Sequence, residues 1–207
     1  MRNMEKYKDT LSEYIPDSSV DTVFSSLNKH HVRLVISKSR ATKLGDYRPP
    51  IKNNYHRISI NYNLNKYQFL ITLIHELAHL EIWVKYKNRV KPHGNEWKLQ
   101  FGKLMAEHMN LETFPLDVLN ALKIYFTKSS SSDTNLSRIL KKYNINNEEE
   151  TTLEELPENA VFAIYNGIVF QKLKRLRKRY RCKRLDNGKM YIVSPLMVVH
   201  VLDDYKM

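Results

Sequence analysis

The chain has 207 residues, 42% of them hydrophobic and 27% charged, which suits one ordinary packed domain with a small second one and excludes global disorder. A formal net charge of +12 favours polyanions, nucleic acid ahead of a membrane surface. The single cysteine, Cys182, excludes an intrachain disulfide framework and a four-cysteine metal site, and it fits a reducing compartment.

Residues 4–14 and 18–29 read as helices, with Asp17, Ser18 and Ser19 as candidate caps of the second. The N-terminal sequence MRNMEKYKDTLSEYIP has no apolar signal-peptide core. HVRLVISKS (31–39) alternates apolar and polar and predicts a strand. ATKLGDYRPP (41–50) is a turn or loop with room for a short strand before its prolines. YHRISINY (55–62) alternates again and predicts a second strand. Asn65 with Gln68 resembles a helix-start box, so a helix is expected over 66–86. Its apolar part, 69–84, is too short and too charged to span a bilayer. No membrane partner is expected, and the expected location is the cytoplasm, nucleoid association included. Residues 87–95 read as a loop, and 96–110 and 115–128 as two more helices.

The composition changes at SSSSDT (129–134) and again at the acidic NEEE (147–150), so 129–150 reads as a linker. Within it, NLSRILKKY has the pattern of a short helix. Asn166-Gly167 lies between AVFAIY and IVFQKL, and Asp186-Asn187-Gly188 between RYRCKRL and KMYIV, and both predict hairpins. The expected organisation is a domain over 1–128, the linker, and a small basic β-hairpin domain over 151–207.

The helix over 66–86 contains His75-Glu76-Leu77-Ala78-His79, an HExxH motif. Residues four apart share a helix face, so both imidazoles can reach one ion, and Glu76 sits beside them as a candidate base. Two unpaired imidazoles and a carboxylate would be costly inside an apolar helix, and a bound metal explains their presence. Catalytic zinc takes three protein ligands and leaves one position open. His93, in KPHGNEW, is the best third candidate, because the next helix can fold it back over the first. Glu81 lies on another face of the HExxH helix, and Glu96 and His108 are fallbacks on the following one. His30, His31, His56 and His200 have no comparable context.

TKLGDYRPP, HRISIN, LIHELAHL and HGNEWKLQF in combination resemble the SprT-like family, which includes the Spartan DNA-repair proteases; the similarity covers about 31–110. The resemblance implies an α+β fold with a minimal zincin-like domain and one zinc ion. It implies His75, His79 and His93 as zinc ligands and Glu76 as the catalytic base of a peptidase. Many relatives carry a C-terminal four-cysteine zinc ribbon, which a chain with one cysteine cannot form. The two hairpins stand where that ribbon would be, so the C-terminal domain is expected to be a metal-free relic of it.

KLKRLRKRYRCKR (172–184) has nine Lys or Arg among thirteen residues. If this segment is extended, Arg175, Arg177, Arg179, Arg181 and Lys183 point to one side as a stripe suited to a phosphate backbone. Residues 1–127 hold 19 basic against 12 acidic residues and 128–207 hold 15 against 10, so both parts are basic. The leading expectation is a zinc endopeptidase acting on DNA-associated or DNA-crosslinked proteins. A DNA-independent cytosolic metallopeptidase is one alternative. A nucleic-acid-binding protein with a structural zinc is the other, and Glu76 argues against it, since a structural site needs no base.

Overall fold

The computed structural model describes residues 2–40, 42–50, 54–127, 132–144 and 151–202. Its α+β architecture has six α-helices and two sheets among those residues, in two units, Met1–Asn144 and Ile145–Met207. The first unit runs α1 (Arg2–Tyr14), α2 (Val20–Lys29), β1 (Val32–Ser37), β2 (Gly45–Arg48), β3 (His56–Asn61), α3 (Lys66–Tyr86), α4 (Asn95–Ala106), α5 (Leu116–Thr127) and α6 (Ser132–Lys141). The second holds β4 (Val161–Ala163), β5 (Val169–Arg175), β6 (Tyr180–Arg184), β7 (Met190–Val193) and β8 (His200–Val201).

Helix α3 begins where Asn65 predicts: its side-chain oxygen accepts the Gln68 N–H at 3.0 Å. Phe69, Leu70, Leu73, Ile74, Leu77, Ala78 and Leu80 are all buried. A helix apolar on nearly every face belongs inside a core, and each such side chain contributes about 1.5–3 kcal/mol by leaving water. The three-stranded sheet packs in the same core, with Ile58 and Ile60 fully buried. Its order is β1-β3-β2: β1 is parallel to the central β3, and β2 is its antiparallel edge partner.

The entry to β2 is held by a polar knot. Arg40 donates from Nε to Asn61 Oδ1 (2.8 Å) and from a terminal nitrogen to Ser59 Oγ (3.1 Å). Asn61 in turn donates to the Lys43 carbonyl (3.0 Å), and its own N–H reaches the Leu44 carbonyl (2.9 Å). Asn61 and Ser59 are buried, so these bonds satisfy groups that would otherwise destabilise the sheet end.

Of the stretch read as a linker, Ser132–Lys141 is helix α6, and Leu136 and Leu140 are buried in the first unit's core. Asn65 ties it down by donating to the Leu140 carbonyl at 2.8 Å. Residues 128–131 and 145–150 lie outside the described residues. The second unit is a five-stranded antiparallel sheet, β7-β6-β5-β4-β8, over a core that includes Phe162, Phe170, Tyr180 and Cys182. Gly167 and Gly188 take positive φ (78° and 68°) in the β4–β5 and β6–β7 turns, as the two hairpin signals require.

One expectation for this unit is corrected. The segment 172–184 is not a single extended strand but two antiparallel strands, β5 and β6, paired from Lys172↔Cys182 to Arg175↔Tyr180. The chain reverses through 176–179, closed by the Leu176 N–H to the Arg179 carbonyl at 2.7 Å. Lys172 points inward and donates to the carbonyls of Leu156 and Glu154. The five cations expected as a linear stripe are exposed, but they gather around a hairpin end.

Candidate metal centre

Helix α3 places His75 and His79 one turn apart, with their Nε2 atoms 3.2 Å apart. His93 reaches them from the loop before α4, its Nε2 lying 3.0 Å from that of His79 and 3.1 Å from that of His75. Its backbone takes φ 57°, a left-handed conformation that is uncommon for a non-glycine residue. Among the described residues this is the one group of three or more His, Cys, Asp or Glu side chains drawn together closely enough to hold a metal.

Three ring nitrogens in a closed triangle cannot satisfy one another, because each neutral Nε2 presents either one hydrogen or one lone pair. A shared cation satisfies all three. Burial, with the neighbouring histidines adding to it, lowers His75 to about 3; burial and His93 lower His79 to about 4; burial also lowers His93. All three rings are therefore neutral at pH 7, the form in which imidazole binds metal.

Trp97, on the first turn of α4, packs against all three rings of the triad. Its ring centroid lies 4.5 Å from that of His75, 5.3 Å from His79 and 4.7 Å from His93. Phe101 stacks behind it at 4.9 Å. The indole is almost fully buried, and its N–H finds no acceptor among the described residues.

Glu76 lies under the edge strand β2. Its carboxylate accepts the Tyr47 N–H, and the backbone of Gly45 passes so close that an added Cβ would sit 2.6 Å from Oε1 and 2.8 Å from Thr72 Cγ2. Only glycine permits this approach. Burial, reinforced by the charge of Asp46, raises Glu76 to about 7, with Tyr47, Arg40 and Lys43 pulling the other way. Gly45, Asp46, Tyr47, His75, Glu76, His79 and His93 together line an open cleft of about 330 Å3.

Of the other candidate ligands, Glu81 and His108 are engaged elsewhere. Glu81 bonds His30 (3.2 Å) and Gln100 (2.9 Å). His108 is buried against Ser19 Oγ at 2.9 Å. Glu96 is exposed on the first turn of α4. His56 receives a role the sequence did not suggest: its Nδ1 lies 2.8 Å from the Tyr47 hydroxyl, which steadies β2.

The family model described as "SprT-like family" matches residues 14–118, which contain the whole cleft. The chain belongs to the SprT-like family. The resemblance read from the motifs is thereby borne out, and the match stops short of the second unit. Comparison with curated proteins and with solved structures returned no match. No helix of this SprT-like chain, among the described residues, is long and apolar enough to cross a membrane. Arg175, Arg177, Arg179, Arg181 and Lys183 belong to the second unit, outside the cleft.

Proposed function

We propose that this SprT-like protein is a zinc-dependent endopeptidase that cleaves proteins associated with or crosslinked to DNA. The observation that carries the peptidase reading is the convergence of His75, His79 and His93 beside Glu76 in an open cleft. The donor set fits zinc. Three imidazole nitrogens at about 2.0–2.1 Å from a tetrahedral ion stand roughly 3.3 Å apart, within a few tenths of an ångström of the 3.0–3.2 Å separations here.

Zinc held by the three imidazoles supplies Lewis acidity and a water of lowered pKa. The chain supplies the rest. Glu76, at the cleft wall, accepts the nucleophile's proton and delivers it to the leaving amine. The Tyr47 N–H fixes the carboxylate's orientation. Among the described residues β2 pairs with β3 alone, and an extended polypeptide added along its outer edge would run beside the cleft.

The DNA part of the reading is supported by the +12 charge and by the exposed cations of the second unit. It is tested by cleavage of a DNA-binding protein with and without DNA at two salt concentrations. Stimulation by DNA that fades at high salt is the expected result. Cleavage indifferent to both would leave a peptidase whose substrates are unrelated to DNA.

A further inference from the structure

Beside the cleft lies a second hollow of about 390 Å3, which shares Tyr47 and His79 with it. Its walls are apolar: Ile82 and Trp83 from α3, Val90 and Pro92 from the α3–α4 loop, and Trp97 from α4. Two exposed lysines stand among the lining residues, Lys87 and Lys91. Lys87 leaves α3 at φ 54° and lays its Nζ 3.7 Å from the centre of the Trp83 ring.

We propose that this hollow receives the substrate side chain next to the scissile bond, selecting a bulky apolar or aromatic residue and rejecting Lys and Arg. The inference rests on the peptidase reading. Because the hollow shares His79 with the metal centre, a polypeptide lying in the cleft has one residue within its reach. An aromatic or large aliphatic side chain covers Trp83, Ile82 and Val90 and removes their apolar surface from water. Its replacement by alanine forfeits that burial, a loss of roughly 10- to 100-fold in selection. A substrate cation meets the charge of Lys87 and Lys91, and its favourable place over Trp83 is already taken by Lys87.

The chain has two tryptophans, Trp83 and Trp97, and both line this hollow. Tryptophan emission therefore reports its occupancy without any cleavage. Acetyl-Ala-Phe-Ala-amide, acetyl-Ala-Ala-Ala-amide and acetyl-Ala-Lys-Ala-amide are titrated into the full-length, zinc-loaded protein while emission is followed. In parallel, the cut sites made in an unfolded protein substrate are mapped by mass spectrometry, for the wild type and for the Lys87→Glu, Lys91→Glu double variant. The expected titration is saturable and at least tenfold tighter for the Phe peptide than for the other two. The expected map shows Phe, Tyr, Leu or Met enriched at one fixed position beside the cut and Lys or Arg depleted there, with the depletion lost in the double variant.

Equal emission titrations for the three peptides overturn the proposal, and so does a map with no positional preference. A protein that cuts nothing yet discriminates the Phe peptide retains the hollow and loses the peptidase reading. A protein that cuts without preference and does not discriminate retains the peptidase reading and loses the hollow.

Discussion

Glu76 is held inside an apolar helix, where its carboxyl titrates at about 7 instead of the ordinary 4.5. The folded, metal-free chain therefore keeps a proton that the unfolded chain loses between pH 4.5 and 7. The stability contributed by this proton is fully present below about pH 4.5, falls as the pH rises to about 7, and stays absent above it. The difference is worth on the order of 3 kcal/mol. Glu76→Gln should then melt above the wild type at pH 8 in the presence of a chelator, and close to it at pH 4.5, which a pair of thermal melts would read. Identical melts at pH 8 would show that the carboxylate is not strained by burial. The motif made Glu76 and its two histidines legible, because a spacing of four puts His75 and His79 on one face and Glu76 beside it whatever surrounds them. His93 was legible only as the best of several candidates, since its loop geometry depends on α4. Gly45, Tyr47 and Arg40 were not legible as site residues: they act through packing between β2, β3 and α3 that no local pattern encodes.

Between elements, two packings hold the cleft in register. The first is β2 on α3, closed down to the Gly45 backbone. Gly45→Ala puts a methyl where Glu76 and Thr72 already stand, so the carboxylate must move. A positioning loss of this size lowers kcat about 100-fold, while zinc content, read by metal analysis, stays at the wild-type level. The second is α4 on α3 through Trp97. Trp97→Ala removes the surface against which all three imidazoles rest and should weaken zinc about 10- to 100-fold in a chelator competition. An unchanged affinity would reduce Trp97 to a core residue. Two features were misread for opposite reasons. Helix α6 was legible as a short helix but was assigned to a linker, because it sits in a serine-flanked, polar stretch and its two buried leucines are a weak signal without the core they fill. The turn at 176–179 contains no Gly, Asn, Asp or Pro, so its strands read as one. Where glycine marks the turn, at Gly167 and Gly188, the hairpins were plain.

At the scale of the molecule, each unit has its own buried core, and the cleft belongs wholly to the first. A chain ending at Asn144 should fold cooperatively, bind zinc and cleave a protein free of DNA. It lacks Arg175, Arg177, Arg179, Arg181 and Lys183, so the salt dependence of its DNA binding should be shallower by roughly 0.9 for each phosphate those side chains neutralise in the full-length protein. An unchanged slope would assign DNA binding to the first unit alone, which is itself basic. The α+β class was visible in the sequence because alternating and helical patterns both occur along the chain; the hairpin arrangement of the cations was not, because charge runs carry no turn signal. The most direct test measures zinc content and cleavage together on the wild type and Glu76→Gln. One zinc in each protein, with cleavage by the wild type alone and abolished by chelation, is the predicted result. Wild-type cleavage by Glu76→Gln, or by the chelated wild type, would contradict it.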